Sequence, residues 1–188
     1  MHFKILSIAV LSCFLFSCGG NENKETGNDS LKNLPIEKQL EKADLLKGVP
    51  FKKLPVVDST SFDDFEGKTV LSKEIATKLK LKSDDPEHQH FYSRYRVALS
   101  DKIDAVVVTL AGEFEMQTFL ISYTKEDYKV IDKVVIAYDE IAESAFSSIG
   151  KVSKIGIVVT NYNYMDEEPV IETLNYEIEP SGKFVKKH

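Results

Sequence analysis

From residue 91 onward, apolar and polar side chains alternate with a period of two. Phe91, Tyr95, Val97 and Leu99 fall on one side of the pattern, with Tyr92, Arg94, Arg96 and Ala98 on the other. Alternation of this kind predicts a half-buried strand over 91–99. The stretch 103–110 (IDAVVVTL) is apolar on both sides and predicts a strand buried on both faces. Further strands are predicted over 115–123, 129–138, 152–160, 170–178 and 183–187. Val107 and Ile157, each inside an apolar strand, are expected core positions. The connections Ser100-Asp101, Ala111-Gly112, Lys125-Glu126-Asp127 and Pro180-Ser181-Gly182 are short and carry turn residues. Short connections imply antiparallel neighbours, because a parallel crossover needs about a dozen residues.

Upstream the period lengthens. Leu71, Ile75 and Leu79 lie one helical turn apart with lysines opposite, which predicts an amphipathic helix over 70–81. Ser83-Asp84-Asp85-Pro86 then stops it. Asn33 as cap, Pro35 in the first turn and Gly48 as stop frame a second, short helix within 33–48. Between the two, Pro50, Pro55 and Gly67 mark a loop with one extended piece over 54–57. The segment 140–150 has room for a helix or a wide loop. The expected fold is α+β: a mostly antiparallel meander of six or seven strands with one or two packed helices, or alternatively a β-sandwich or partly closed barrel.

The N-terminal segment follows a different logic. A short positive start, Met1 to Lys4, precedes a twelve-residue apolar run, Ile5 to Phe16. The run falls short of the roughly 18 residues a membrane span requires but suits a secretory signal. It ends in Leu15-Phe16-Ser17-Cys18, which resembles the lipobox of bacterial lipoproteins. That resemblance implies cleavage before Cys18 and a diacylglycerol on its sulfur. Gly19, rather than Asp, after the cysteine points to the outer membrane on the same resemblance. Cys13 and Cys18 are the two cysteines of the chain, so nothing downstream can form a disulfide or a thiolate metal site. The expected organisation is a signal peptide over 1–17, a lipidated Cys18 and polar tether over 18–45 that includes part of the possible short helix, and a single α+β domain over 46–188.

Composition narrows the partners. The 188 residues include 43% hydrophobic and 29% charged residues, and the formal net charge is −6. A negative chain repels the phosphate backbone of nucleic acid. With Arg94 and Arg96 its only arginines, it is poorly supplied for bidentate phosphate recognition. No glycine-rich nucleotide loop, G-x-S-x-G elbow or H-E-x-x-H pair occurs. The expected partners are a membrane, through the anchor, and an envelope protein or glycan; neither nucleic acid nor nucleotide is expected, and no cofactor.

Four groups of residues bear on chemistry or binding. His88-Gln89-His90, with Asp85 and Glu87 beside it, comes nearest to a metal site, because alternate residues of an extended segment share a face. Asp58, Asp63, Asp64 and Glu66 form a carboxylate cluster without the ligand spacing of a calcium loop. Ser122-x-x-Lys125 and Ser148-x-x-Lys151 match the spacing of penicillin-recognising enzymes but lack the companion motifs. Tyr162, Tyr164 and Tyr176 are candidate partner contacts, since exposed tyrosines are frequent interface anchors. These residues favour a non-enzymatic binding or structural module. The rival is an envelope hydrolase with a carboxylate or histidine site.

The run from VLSKEIATKLKL through FYSRYRVAL and FLISYTKEDYKVIDKVVIAYDE to LNYEIEPSGKFVKK resembles small lipoproteins of Bacteroidetes-type bacteria. A strand, a polar turn and a Lys-x-Ile-Asp step recur in them. The Lys-rich, Arg-poor composition agrees. The resemblance implies an envelope location and a β-meander, and it carries no catalytic residue with it.

Overall fold

The computed structural model describes residues 44–61, 65, 69–141, 145–165 and 167–188. The signal peptide, Cys18, the tether up to residue 43 and most of the 33–48 helix lie outside the described residues. Among the described residues, ten strands form one sheet. They are β1 (Val56–Ser59), β2 (Thr69–Val70), β3 (His90–Ala98), β4 (Ile103–Ala111), β5 (Glu115–Thr124), β6 (Val130–Glu140), β7 (Phe146–Val152), β8 (Gly156–Asn163), β9 (Val170–Ile178) and β10 (Phe184–Lys187). Neighbours run β10-β9-β8-β7-β6-β5-β4-β3-β2, all antiparallel, and β1 pairs with β7 off this path. The sheet is open, with β2 and β10 at its ends.

The antiparallel sheet matches the alternation; the strand count exceeds the expected six or seven. One added strand is β7, which lies largely inside the segment read as helix or wide loop. Its inward positions include Ser148 and Gly150, so alternation is faint there. Of the strand expected over 152–160, residues 156–160 lie in β8 and Val152 ends β7, with a turn at 153–155 between them. The helix expected over 70–81 shrinks to α1 (Lys73–Lys78), capped by Ser72 Oγ, which accepts from Ile75 N at 3.4 Å. Residues 69–70 join β3 as a strand instead, because β3 offers them an edge. The apolar stripe survives the shortening, with Leu79 and Leu81 buried.

The sheet folds back on itself, and two apolar clusters result. The first lies between the halves. It gathers Val97, Val107 and Leu120 from β3 to β5 with Val152, Ile157 and Phe184 from β7 to β10. The second lies on the outer side of β3 to β6 and is covered by Leu46, Leu79 and Leu81. Strand β4 is therefore sandwiched, and Val107 and Ile157 are buried as the sequence predicts. The fold occurs at β6–β7. There only Tyr138 and Asp139 pair with Ser148 and Ser147, and β1 takes up the rest of β7. Bulges in β6 sharpen the coil. The β9–β10 turn closes down on the far side. Ser122 Oγ donates to the Gly182 carbonyl at 2.6 Å, and Phe184 N donates to Asp132 Oδ2 at 2.8 Å.

Strand β1 is pinned by buried polar groups. Asp58 Oδ1 lies 3.6 Å from Arg94 Nη1. Arg94 Nη1 donates to Thr109 Oγ1 at 3.2 Å, Thr109 and Thr118 share a hydrogen bond of 2.7 Å, and Thr118 pairs in turn with Thr60. Arg94 is the extra residue of a β3 irregularity between Ser93 and Tyr95, which turns its side chain toward this group.

The described chain begins at Asp44, which ties the N-terminal segment to the sheet. Its carboxylate accepts from Arg96 Nη1 at 3.1 Å, from Tyr128 Oη at 2.7 Å and from Leu46 N at 3.0 Å. Burial opposes its ionisation, but these donors outweigh burial and hold the carboxyl below its ordinary 3.8. The same contact, after burial, pushes the Tyr128 phenol up to about 12. A depressed carboxyl stabilises the fold above its unfolded pKa, and that contribution is lost as pH falls through its folded pKa. Asp44→Asn is therefore expected to lower the melting temperature at neutral pH and to flatten its fall below about pH 4. Thermal melts across pH check this; parallel curves for the two proteins would contradict it.

Candidate functional site

Antiparallel strands send successive connections to opposite ends. The α1–β3, β4–β5, β6–β7 and β8–β9 connections share one end; the β3–β4, β5–β6, β7–β8 and β9–β10 turns share the other. Asp44, bonded to Tyr128 of the β5–β6 turn, begins the described chain at the second end.

The first end exposes large apolar side chains at three adjacent connections. Phe114, Ile141, Met165 and Val170 are each more than half exposed, with Phe146 and Tyr164 close behind. Backbone bonds hold them side by side. Ile141 N donates to the Phe114 carbonyl at 2.9 Å, and Tyr164 N donates to the Ala145 carbonyl at 2.8 Å. Phe146, Asn163 and Val170 stand in one cross-strand row. Tyr162 and Tyr164 stack with ring planes 5° apart and centroids 6.1 Å apart.

Charge is sorted along the same axis. Counting each connection with the two strand residues on either side, the first end holds nine described carboxylates against Lys80 and Lys82. The second end holds six lysines against six carboxylates. Part of the acidic end is a cleft of about 290 Å³ lined by Asp85, His88, Phe114, Glu115, Tyr138 and Glu140, among others. Tyr138 Oη donates to Glu140 Oε2 at 3.0 Å and lies 3.2 Å from Glu115 Oε2. Burial, with Glu140 and Glu115 behind it, pushes the Tyr138 phenol up. Glu140 Oε1 accepts from Phe146 N at 3.2 Å, which ties the cleft to the apolar patch. His88 Nδ1 lies 3.0 Å from Asp85 Oδ2, and this partner holds the Asp85 carboxyl low.

The tyrosine trio is split. Tyr162 and Tyr164 come together at the acidic end, whereas Tyr176 faces the other side of the sheet, opposite Ile157, and packs against the first core cluster. His88 sits in the turn before β3 and His90 opens the strand, so the two share no regular extended face. Among the described residues no group of three or more His, Cys, Asp or Glu side chains is placed to hold a metal ion. Asp58 is buried against Arg94; Asp63, Asp64 and Glu66 lie outside the described residues. Ser122 is buried and bonded to Gly182, Lys125 pairs with Asp104 at 3.2 Å, and Ser148 bonds Asn161. Each serine thus has a structural partner other than its lysine. Among the described residues no helix is long and apolar enough to cross a membrane.

Phe114, Ile141, Phe146 and Met165 escaped the sequence reading as candidates. The available signal was a large apolar residue amid carboxylates in a connection, as in Glu113-Phe114-Glu115 or Met165-Asp166-Glu167. Turns are ordinarily built from small and polar residues. No protein-family model, curated protein or solved structure matches this chain.

Proposed function

We propose that this protein is a lipid-anchored binding module of the bacterial envelope, held in the outer membrane by acylated Cys18. It engages an envelope component through the apolar end of its sheet. The observation that carries this reading is the set of large apolar side chains exposed on three adjacent connections. Contiguous exposed apolar surface with a polar rim is the usual mark of an interaction site. The anchor supplies the geometry. A tether from Cys18 reaches Asp44 at the opposite end, and strands of nine to eleven residues separate the two ends by about 30 Å. The apolar end then faces away from the anchoring membrane.

Two measurements test the reading. Fatty-acid analogue labelling in cells is expected to mark the native chain and not Cys18→Ala; equal labelling would remove the anchor. A photo-crosslinking residue at Phe114 is expected to trap an envelope component, while the same probe at Ile155, exposed at the other end, traps little. Equal yields from both positions would remove the binding end.

A second reading has one observation in its favour: the cleft gathers His88 with Asp85, Glu115 and Glu140. In it, the protein is an envelope hydrolase with His88 as base and Asp85 as the group that orients it. Hydrolysis of envelope peptides or glycans that disappears in His88→Ala would support this reading over the first.

A further inference from the structure

We infer that the partner of the apolar end is a cationic amphipathic polypeptide segment, one that alternates or clusters Lys or Arg with large apolar residues. This rests on the binding reading above and names the chemistry of the partner.

Three features of this end specify such a partner. The exposed apolar side chains of the β4–β5, β6–β7 and β8–β9 connections share one end of the sheet, and the Phe114–Ile141 and Ala145–Tyr164 backbone bonds set those connections side by side. Carboxylates interleave with that surface rather than lying apart from it. Glu113 and Glu115 flank Phe114, Glu140 precedes Ile141 and bonds Phe146 N, and Glu167 and Glu168 follow Met165. Finally, the excess of carboxylates is confined to this end, because the opposite end is balanced.

These features select among occupants. A surface with this charge repels anionic lipid headgroups and phosphate. It also disfavours a second copy docking end to end, since two such ends carry the same sign, and the balanced opposite end offers no net attraction. A bare divalent cation finds no cluster of three ligating side chains among the described residues. An uncharged glycan leaves the carboxylates without counter-charge. A basic amphipathic segment satisfies both halves of the surface. Its apolar residues cover Phe114, Ile141 and Phe146, and its cations meet the interleaved carboxylates. The charges steer encounter and fix orientation, while apolar burial holds the complex.

The test uses the full chain immobilised through its N-terminus, which leaves the acidic end free. Two synthetic peptides of equal length share the same Leu and Phe positions; one carries Lys and the other Glu between them. The Lys peptide is expected to bind at least about tenfold more tightly, with the difference shrinking at 0.5 M salt (Debye length near 4 Å). The double variant Phe114→Ser/Ile141→Ser is expected to weaken Lys-peptide binding by about tenfold, a loss of about 1.4 kcal/mol. Both residues are exposed, so the fold is retained, and a circular dichroism spectrum verifies this. Equal binding of the two peptides, or Lys-peptide binding unchanged in the double variant, would overturn the inference. If the Phe114 probe traps a component in cells while the Lys peptide does not bind, the partner chemistry is wrong and the binding role stands. If neither occurs, both fall.

Discussion

Replacing Arg94 by Met is expected to destabilise the protein by about 3–5 kcal/mol, the usual cost of removing one partner from a buried ion pair. The Asp58 side chain is only 2% exposed, and its charge faces Arg94 across 3.6 Å. Among the described residues its Oδ1 accepts no hydrogen bond. Without the guanidinium, that carboxylate stays buried with no counter-charge among the described residues. The Tyr95 hydroxyl, also without a hydrogen-bond partner in the described structure, lies close enough to Asp58 for the charge to add to burial in pushing the phenol up. The double variant Asp58→Asn/Arg94→Met is expected to recover most of the loss, because it removes both charges together. Urea denaturation of the two single variants and the double variant measures this. Additive losses would mean that the two side chains act independently.

Gly150→Ala is expected to cost about 3 kcal/mol, near the top of the ordinary range for overpacking. A Cβ at this position would lie 2.3 Å from the Ile136 carbonyl oxygen and 2.9 Å from Ile136 Cβ. The first of these atoms is backbone and cannot swing away, so β6 and β7 must separate where the sheet folds back. Gly112→Ala is the matched control. Its Cβ would meet the flexible Gln89 side chain at 3.3 Å, and the expected change is within about 0.5 kcal/mol. Denaturation midpoints that fall equally in both variants would show that close approach at Gly150 is not what the fold needs.

Gly150 also explains why β7 was hard to read in the sequence. A strand is recognised by alternation, and alternation requires side chains on the inward positions. In β7 the inward positions after the exposed Phe146 are Ser148, Gly150 and Val152, and the first two contribute little apolar signal. The glycine is there because another backbone passes where a side chain would be. That neighbour, Ile136, is distant in sequence, so local pattern carries no trace of it. The short helix is a similar case. Leu71, Ile75 and Leu79 have helical spacing, yet Thr69 and Val70 pair with β3, because the edge of β3 offers hydrogen bonds that local propensity cannot anticipate.

The acidic end was legible only in fragments. Each fragment, such as Glu113-Phe114-Glu115, reads alone as an ordinary turn with one misplaced apolar residue. Tyr162 and Tyr164 lie two apart in the chain, and the structure stacks their rings at this end. Tyr176 failed as their companion because face and register, not residue type, decide exposure. Its cross-strand partner is Ile157, so it lies on the core side.

What the sequence by itself determined is everything that depends on near neighbours. Period-two alternation marked the regular strands β3 to β6, β9 and β10, turn residues separated most of them, and the unbroken apolar run 103–110 foretold the buried β4. The physical reason is that side-chain direction along a strand repeats every two residues whatever lies beyond it. The tertiary structure alone decided the rest. It folded the sheet at a two-pair junction between β6 and β7, required a glycine there, and set Arg94 against Asp58. It also sorted the connections. Consecutive turns of an antiparallel meander go to opposite ends, so every second loop meets its fellows in space. Acidic and apolar residues scattered along some eighty positions of chain thereby become one surface, and the lysine-bearing turns between them are carried about 30 Å away.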